Sequence, residues 1–358
     1  MAHVCRVGRT FAKHRLYSST GTMNAQTALD QVSTQGKFVR KDSVFRDWVN
    51  KAEGSRFKPE ANRYALYVSK ACPWANRCLH FLSLKGLEHA IDVYSVHPTW
   101  GDTKPQVDGH RGWHFAEEGA NVPGVTTDGL NGCKTMRDLY DLAVKGVWDK
   151  SAFTTPVLWC KQEATIVNNE SSEICRMLNS EFEDVARNKG VDLYPPQLAD
   201  KVKELERWVY NDINNGVYKC GFATSQGAYE EASAALFAAL DRVEEILGGT
   251  RYLAGDSLTG VDVWLFNTLV RFDPVYVVYF KTCKRTISSY HNITNYIRDL
   301  YQTHRLGLDV DMWNIRTHYF TSHPKLNPYG IVPVMPDGVD YAAAHDRATR
   351  EDSSSKLT

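Results

Sequence analysis

An α/β domain followed by an all-α domain is the architecture this sequence predicts, and three observations predict it. The short aromatic and β-branched run "YALYVS" (residues 64–69) passes into an amphipathic stretch, Trp74 to Leu84, and then into "AIDVYSV" (90–96). That succession is a βαβ unit. Two more strand-like runs, Thr155 to Cys160 and Ala164 to Asn168, are close enough to pair as a hairpin and lead into a helix from Ser171 to Leu178. Beyond "VDLYPPQL" the pattern becomes helical, with Leu236, Leu240, Val243 and Leu247 at spacings of four, three and four.

The first helix takes its apolar face from Cys78, Leu79, Phe81 and Leu82, and Arg77, His80 and Lys85 fall mostly off that face. Gly86 stops it. A polar loop from His97 to about Val122 follows, and a loop of that length in a compact domain is usually functional. A short helix spans Thr135 to Ala143. The order βαβ then αββα is that of a thioredoxin-like domain. Residues 30–190 are assigned to it, 195–325 to the helical domain, and 326–358 to an extended tail, polar from Tyr341 and read as disordered. Gly248 and Gly249 end the helix carrying the leucine stripe, and Thr259 with Asp262 forms a capping pair at the start of another. No repeat of fixed period is present.

The 358 residues are 43% hydrophobic and 23% charged, the composition of a soluble globular protein. The 42 basic residues balance the 42 acidic ones, which removes the electrostatic footprint of a nucleic-acid binder. No apolar run approaches the ~18 residues of a membrane span. None of the eight cysteines forms a CxxC pair, and their scatter suits a reducing compartment. Residues 1–29 carry Arg6, Arg9, Lys13 and Arg15 and no acid, the pattern of a mitochondrial transit segment. A start at Met23 would give a shorter, untargeted cytoplasmic form.

Cys72 sits where the first strand gives way to a helix, and Pro73 suits the first helical turn, where its missing N–H has no helical partner. Unpaired amides and the helix dipole favour the thiolate there, which makes Cys72 a candidate nucleophile rather than a packed core thiol. Position 75 is Ala, so no resolving cysteine stands in the usual place. A disulfide at Cys72 must be resolved by an external thiol, of which glutathione is the abundant intracellular one. Thr155-Pro156 opens the third strand and, by analogy with the fold, is a cis bond whose first residue meets an extended peptide with its backbone. Glu170 and Ser171 stand at a helix start, which offers amides to a carboxylate and an acid to an ammonium. The same pair also reads as a simple helix cap. His97, His110 and His114 with Asp108 lie in a glycine-containing loop, spacing that does not build a metal site.

The stretches "ACPWANR", "GWHFA", "TPVLW", "TIVNNESSEICRMLN", "NNGVYKCGFATSQ", "LVRFDPVYVVYFK" and "NIRTHYFTSHPKLNP" together resemble the glutathionyl-hydroquinone reductases, the Xi class of glutathione transferases. The resemblance covers about residues 40–335. It implies that Cys72 attacks the sulfur of a glutathionyl-hydroquinone, Tyr218 protonates the leaving carbon, and a second glutathione releases the mixed disulfide in ping-pong fashion. It implies a glutathione site of Trp113, Phe153, Thr154, Thr155, Glu170 and Ser171, and an acceptor pocket lined by Tyr276 and Tyr319 with Tyr218. Glutathione is then a co-substrate, with no further cofactor and no metal, and a homodimer forms through the helical domain. One departure stands out. An arginine of the family pattern falls on Ala152 within "KSAFTTP", which removes a charge-assisted contact to glutathione worth about 1.5–3 kcal/mol. Lys150 would replace it only as a point charge. The alternatives are an Omega-like thioltransferase or dehydroascorbate reductase, which shares Cys72 but needs no proton for carbon, and a transferase-fold scaffold without turnover, against which Cys72 argues.

Overall fold

The computed structural model describes residues 31–148, 152–304 and 306–347. The basic segment 1–29 and Lys150 lie outside them. Four strands form one sheet in the order β2-β1-β5-β6, with β1 (Tyr64–Val68), β2 (Ile91–Ser95), β5 (Val157–Cys160) and β6 (Thr165–Asn168). The long loop contributes a separate two-residue ladder, β3 (Gly101–Asp102) with β4 (Arg111–Gly112). β1 and β2 are parallel, because α1 (Pro73–Lys85) crosses between them; β5 runs antiparallel to β1.

The side-chain period of two sorts residues between the faces. Tyr64, Leu66 and Val68 of β1 pack with α1 and α3 (Ser171–Ser180). Ala65 and Tyr67 join the opposite core under α2 (Met136–Val144). The register pairs Tyr67 with Val157. It therefore brings the chain just after β1, which carries Cys72, beside the chain just before β5, which carries Thr155 and Pro156.

The second layer is helical: α4 (Ala199–Trp208), α5 (Gly216–Gly221), α6 (Gln226–Gly249), α7 (Gly260–Arg271), α8 (Val277–Tyr279), α9 (His291–Gln302) and α10 (Met312–Thr321). Thr259 and Asp262 form the reciprocal capping box that starts α7. Two π-helical stretches, Val209–Asn214 and Phe272–Tyr276, interrupt this bundle. One leads into the helix bearing Tyr218 and the other ends at Tyr276. Among the described residues no helix is long and apolar enough to cross a membrane.

One expectation gains a second half and another, the disordered tail, is overturned. Arg77, His80 and Lys85 belong to no apolar face, yet all three are fully buried. The helical layer covers the face that the apolar pattern leaves open. Arg77 lies 4.1 Å over the Trp264 ring, and His80 meets the Leu306 carbonyl at 3.1 Å and Asn267 at 3.1 Å. Lys85 pairs with Glu183 and donates to the Val191 carbonyl at 2.6 Å. Burial pushes His80 down to about 3, so the ring enters the interface neutral. The chain from Tyr341 to Arg347 is also ordered against the bundle. The Tyr341 hydroxyl donates to the Val270 carbonyl at 2.9 Å, and the buried Arg347 donates to the Leu247 carbonyl at 2.7 Å.

Candidate active site

Cys72 is the N-cap of α1, in extended conformation at φ −76° and ψ 119°, with Pro73 as the first helical residue. Its amide donates to the Ser69 carbonyl at 3.0 Å, which closes the turn out of β1. The half-buried thiol points to the Thr155 carbonyl at 3.6 Å. Thr155-Pro156 is cis. Cys78 and Cys175, by contrast, are sealed in the core with sulfurs 3.8 Å apart. The turn before Cys72 is held from below by Arg271 at the end of α7. Its buried guanidinium donates to the carbonyls of Ala71 and Lys70, each at 3.2 Å, and to Asn76 at 2.7 Å.

On one side of this turn lies a polar cleft of about 60 Å³ lined by Arg40, Ser43, Thr154, Thr155, Glu170 and Ser171 among others. Glu170 is both a cap and a cleft residue. Its carboxylate accepts from the Ser172 amide at 3.1 Å and hydroxyl at 2.9 Å, and from the Ser43 hydroxyl at 3.1 Å. Burial alone would raise its pKa; the Arg77 guanidinium, 3.6 Å away, and these hydrogen bonds outweigh it and hold the group below the usual carboxylate range. Ser171 accepts from Arg77 at 2.6 Å. Thr154 is fixed through its carbonyl and hydroxyl, both 3.1 Å from the Tyr140 hydroxyl.

On the other side an aromatic cavity of about 130 Å³ opens, and Cys72 lines it. Trp100, Trp113, Phe153, Tyr218, Phe222, His318, Tyr319 and His323 contribute to its wall. The loop 97–122 covers this site, since Trp100, His110, Arg111, Gly112 and Trp113 face it. The Trp113 ring stacks on His318 of α10, with centroids 4.5 Å apart and planes 29° apart. The Tyr218 and Tyr319 hydroxyls are 2.5 Å apart, and Tyr319 reaches Tyr276 at 3.1 Å. Burial pushes the Tyr218 and Tyr319 hydroxyls well above the ordinary tyrosine range, so both keep their protons.

The predicted residues divide accordingly. Phe153, Trp113, Tyr218 and Tyr319 reach the aromatic cavity, Glu170 and Ser171 the polar cleft, and Thr154 and Thr155 both. Tyr276 does not line the cavity. It ends a π-helical stretch, and its ring stacks on Phe280 at 5.2 Å with zero exposure and supports Tyr319 from behind. Sequence reasoning missed Arg40, which lines both spaces with its guanidinium 3.7 Å over the Trp74 ring and its Nε donating to Asn215 at 3.2 Å. A cation therefore stands beside Ala152 after all, supplied by the chain before β1. It also missed His318 and His323, which follow no periodic signal that marks them as lining residues. The loop histidines have other partners: His110 bonds Thr103 at 2.8 Å, Asp108 pairs with Arg137 at 2.8 Å, and His97 stacks on His114 at 4.7 Å. Among the described residues no group of His, Cys, Asp and Glu is arranged to hold a metal.

A thioredoxin-like domain with a cysteine facing a cis-proline, roofed by a helical bundle, defines a glutathione transferase. The glutathione S-transferase N-terminal domain model matches residues 71–181 and the C-terminal domain model residues 226–299. The glutathionyl-hydroquinone reductase YqjG of Escherichia coli is 45% identical over 87% of this chain and 92% of its own, and PcpF of Sphingobium chlorophenolicum is 41% identical over 86% and 92%. The Xi-class transferase of Natrialba magadii superposes with a TM-score of 0.79 at 46% identity, over 85% of this chain and 89% of its own. The glutathione-bound structure of YqjG gives 0.79 at 44%, over 86% and 97%. The chain belongs to the glutathionyl-hydroquinone reductases, the Xi class of the glutathione transferase family.

Proposed function

We propose that the protein reduces glutathionyl-hydroquinones to hydroquinones with glutathione. One observation carries this reading: Cys72 stands between a polar cleft and an aromatic cavity that holds a protonated tyrosine pair. The Cys72 thiolate attacks the glutathionyl sulfur, a sulfur–sulfur bond forms, and the carbon–sulfur bond breaks toward the ring. The ring carbon takes the proton of Tyr218, and Tyr319, hydrogen-bonded at 2.5 Å, stabilises the oxygen left behind. The thiolate of a second glutathione then attacks its counterpart in the mixed disulfide, which yields oxidised glutathione and returns Cys72 as thiolate. Its proton restores Tyr218. Glutathione serves as co-substrate, its γ-glutamyl end meeting Glu170 and Ser171 and its carboxylates within reach of Arg40, with no other cofactor. The same reading includes a homodimer through the helical domain, checked by light scattering, and mitochondrial targeting by residues 1–29 with a cytoplasmic form from Met23, checked with fluorescent fusions.

The test uses the glutathionyl conjugate of menadiol with reduced glutathione. Wild-type protein is expected to release menadiol and oxidised glutathione one for one, and Cys72→Ala neither. Disulfide exchange without menadiol release would instead make the protein a thioltransferase.

A further inference from the structure

The aromatic cavity contains a hydrogen-bond acceptor that this reaction scheme leaves unused. His318 stands in α10 directly before Tyr319 and lines the cavity. Its Nδ1 is 2.8 Å from the Pro98 carbonyl oxygen. A carbonyl has no hydrogen to give, so Nδ1 carries one and donates it. Ser322 agrees with that assignment: its hydroxyl, 3.0 Å from Nδ1, gives its one hydrogen to the same carbonyl at 3.0 Å and accepts from the Trp100 amide at 3.0 Å, so toward Nδ1 it can only accept. Burial pushes the ring down to about 4, so it is neutral. A neutral imidazole protonated on Nδ1 leaves Nε2 with a lone pair and no hydrogen. Nε2 has no hydrogen-bond partner among the described residues, yet it is not one of the buried polar atoms sealed without a partner. It opens on the cavity. The aim of the ring is doubly set, by the Pro98 carbonyl on one edge and by the Trp113 stack on one face. His323 offers no such fixed acceptor, because its Nδ1 meets the Tyr279 hydroxyl at 2.5 Å and either atom can donate.

We propose that Nε2 of His318 accepts a hydrogen bond from a hydroxyl of the aromatic acceptor and thereby selects the hydroquinone over the quinone oxidation state. The proposal rests on the reductase reading. A hydroquinone O–H supplies the hydrogen that Nε2 lacks. A quinone carbonyl at the same place sets lone pair against lone pair and leaves both unpaired in a dry site. An arene with both hydroxyls methylated fails for the same reason. Sites built to pair with a substrate hydroxyl reject analogues that lack it far more strongly than apolar pockets reject a change of shape.

The test compares the glutathionyl conjugate of menadiol with its dimethyl ether, under anaerobic conditions, in wild type, His318→Asn and His318→Gln. Asparagine keeps a donor for Pro98 and loses the distal acceptor; glutamine places an amide oxygen near the Nε2 position. The mixed disulfide of glutathione and mercaptoethanol, which has no aromatic hydroxyl, serves as the second substrate. His318→Asn is expected to lower kcat/KM for the hydroquinone by about tenfold to a hundredfold, the loss of one buried hydrogen bond. It should lower the disulfide reaction far less, by no more than the lost stack on Trp113 accounts for, and His318→Gln should recover much of the loss on the hydroquinone. Equal losses on both substrates, or none, would overturn the assignment and leave His318 as a support for Trp113. A wild type that exchanges disulfide but releases no arene would overturn the reductase reading and this proposal with it. Binding to the wild type alone gives a check free of folding effects: equal Kd for menadiol and its dimethyl ether would also refute the role.

Discussion

On one side of Cys72 the cleft is lined by Arg40, Ser43, Glu170 and Ser171; on the other by Trp100, Trp113, Tyr218, Phe222, His318 and Tyr319. The polar half is built mostly from chain ends of regular elements: a cis peptide before β5 and the first residues of α3. Its charges are engaged before any ligand arrives, Glu170 by Ser43, Ser172 and Arg77. The aromatic half draws one ring each from segments more than a hundred residues apart, such as Tyr218 and Tyr319, or Trp113 and His318. The difference teaches that the first half can recognise a constant zwitterionic group, while the second can act on the variable ring attached to it.

Removing the Tyr218 hydroxyl, the proposed proton donor, should split the halves most sharply. Tyr218→Phe is expected to lower arene release by about 10²–10⁴, the range of a general acid, and to leave disulfide exchange within about twofold, a change too small for a lost hydrogen bond. An equal loss on both reactions would deny the division and favour the thioltransferase alternative.

Glu170→Gln should act on the polar half alone. It is expected to raise KM for glutathione by about tenfold to a hundredfold in both reactions, as for a charge-assisted hydrogen bond. An unchanged KM would leave Glu170 as a cap only. The substitution also sharpens the acid stability profile. The folded Glu170 carboxyl lies below its ordinary value of 4.5, despite burial, through Arg77 and the serine donors. Its contribution is complete above that value and is lost as pH falls through the lower, folded value. Thermal melts between pH 6 and pH 3 should therefore show wild type losing more stability than Glu170→Gln; parallel curves would contradict it.

Arg40→Lys is the mildest of the three. Lysine keeps a charge but gives up the flat guanidinium that lies on Trp74. KM for glutathione should rise by about fivefold to tenfold, roughly 1 kcal/mol, the size of a partly exposed cation–π contact, with kcat held. No change in KM would remove Arg40 from the glutathione site.

Much of the polar half is readable from the chain alone. A short apolar strand, a Cys-Pro junction and a helix stopped by Gly86 put Cys72 at an N-terminus wherever the helix packs. Gly86 does adopt the left-handed conformation at φ 63°, and a side chain there would press on Arg187 at 3.0 Å. The cap at Glu170 is likewise local, governed by residues within a few positions, whereas the cis bond at Thr155 follows only by analogy from the order of the elements. The aromatic half is different. Family resemblance names Tyr218, Tyr276 and Tyr319 together, but only packing separates the two that face the cavity from the one behind them. Tyr276 ends a π-helical stretch, and periodicity of 3.6 residues carries no sign of it.

The same reason explains Arg77, His80 and Lys85. A hydrophobic pattern reports the face that meets one core and is silent on a second body packing against the polar face. α7 brings Trp264 to Arg77 and Asn267 to His80, and the chain after α3 brings Glu183 and the Val191 carbonyl to Lys85, so each is buried at no cost of a lone charge. Arg40 and His318 reach the site for a related cause. Each is brought to Cys72 by chain folding from a distant segment, Arg40 from before β1 and His318 from α10. The local identity of a strand, a cap or a candidate nucleophile is therefore legible in neighbouring residues, because short-range sterics and hydrogen bonding set it. Which long side chain reaches the site from afar is decided by the docking of two layers, which no window along the chain contains.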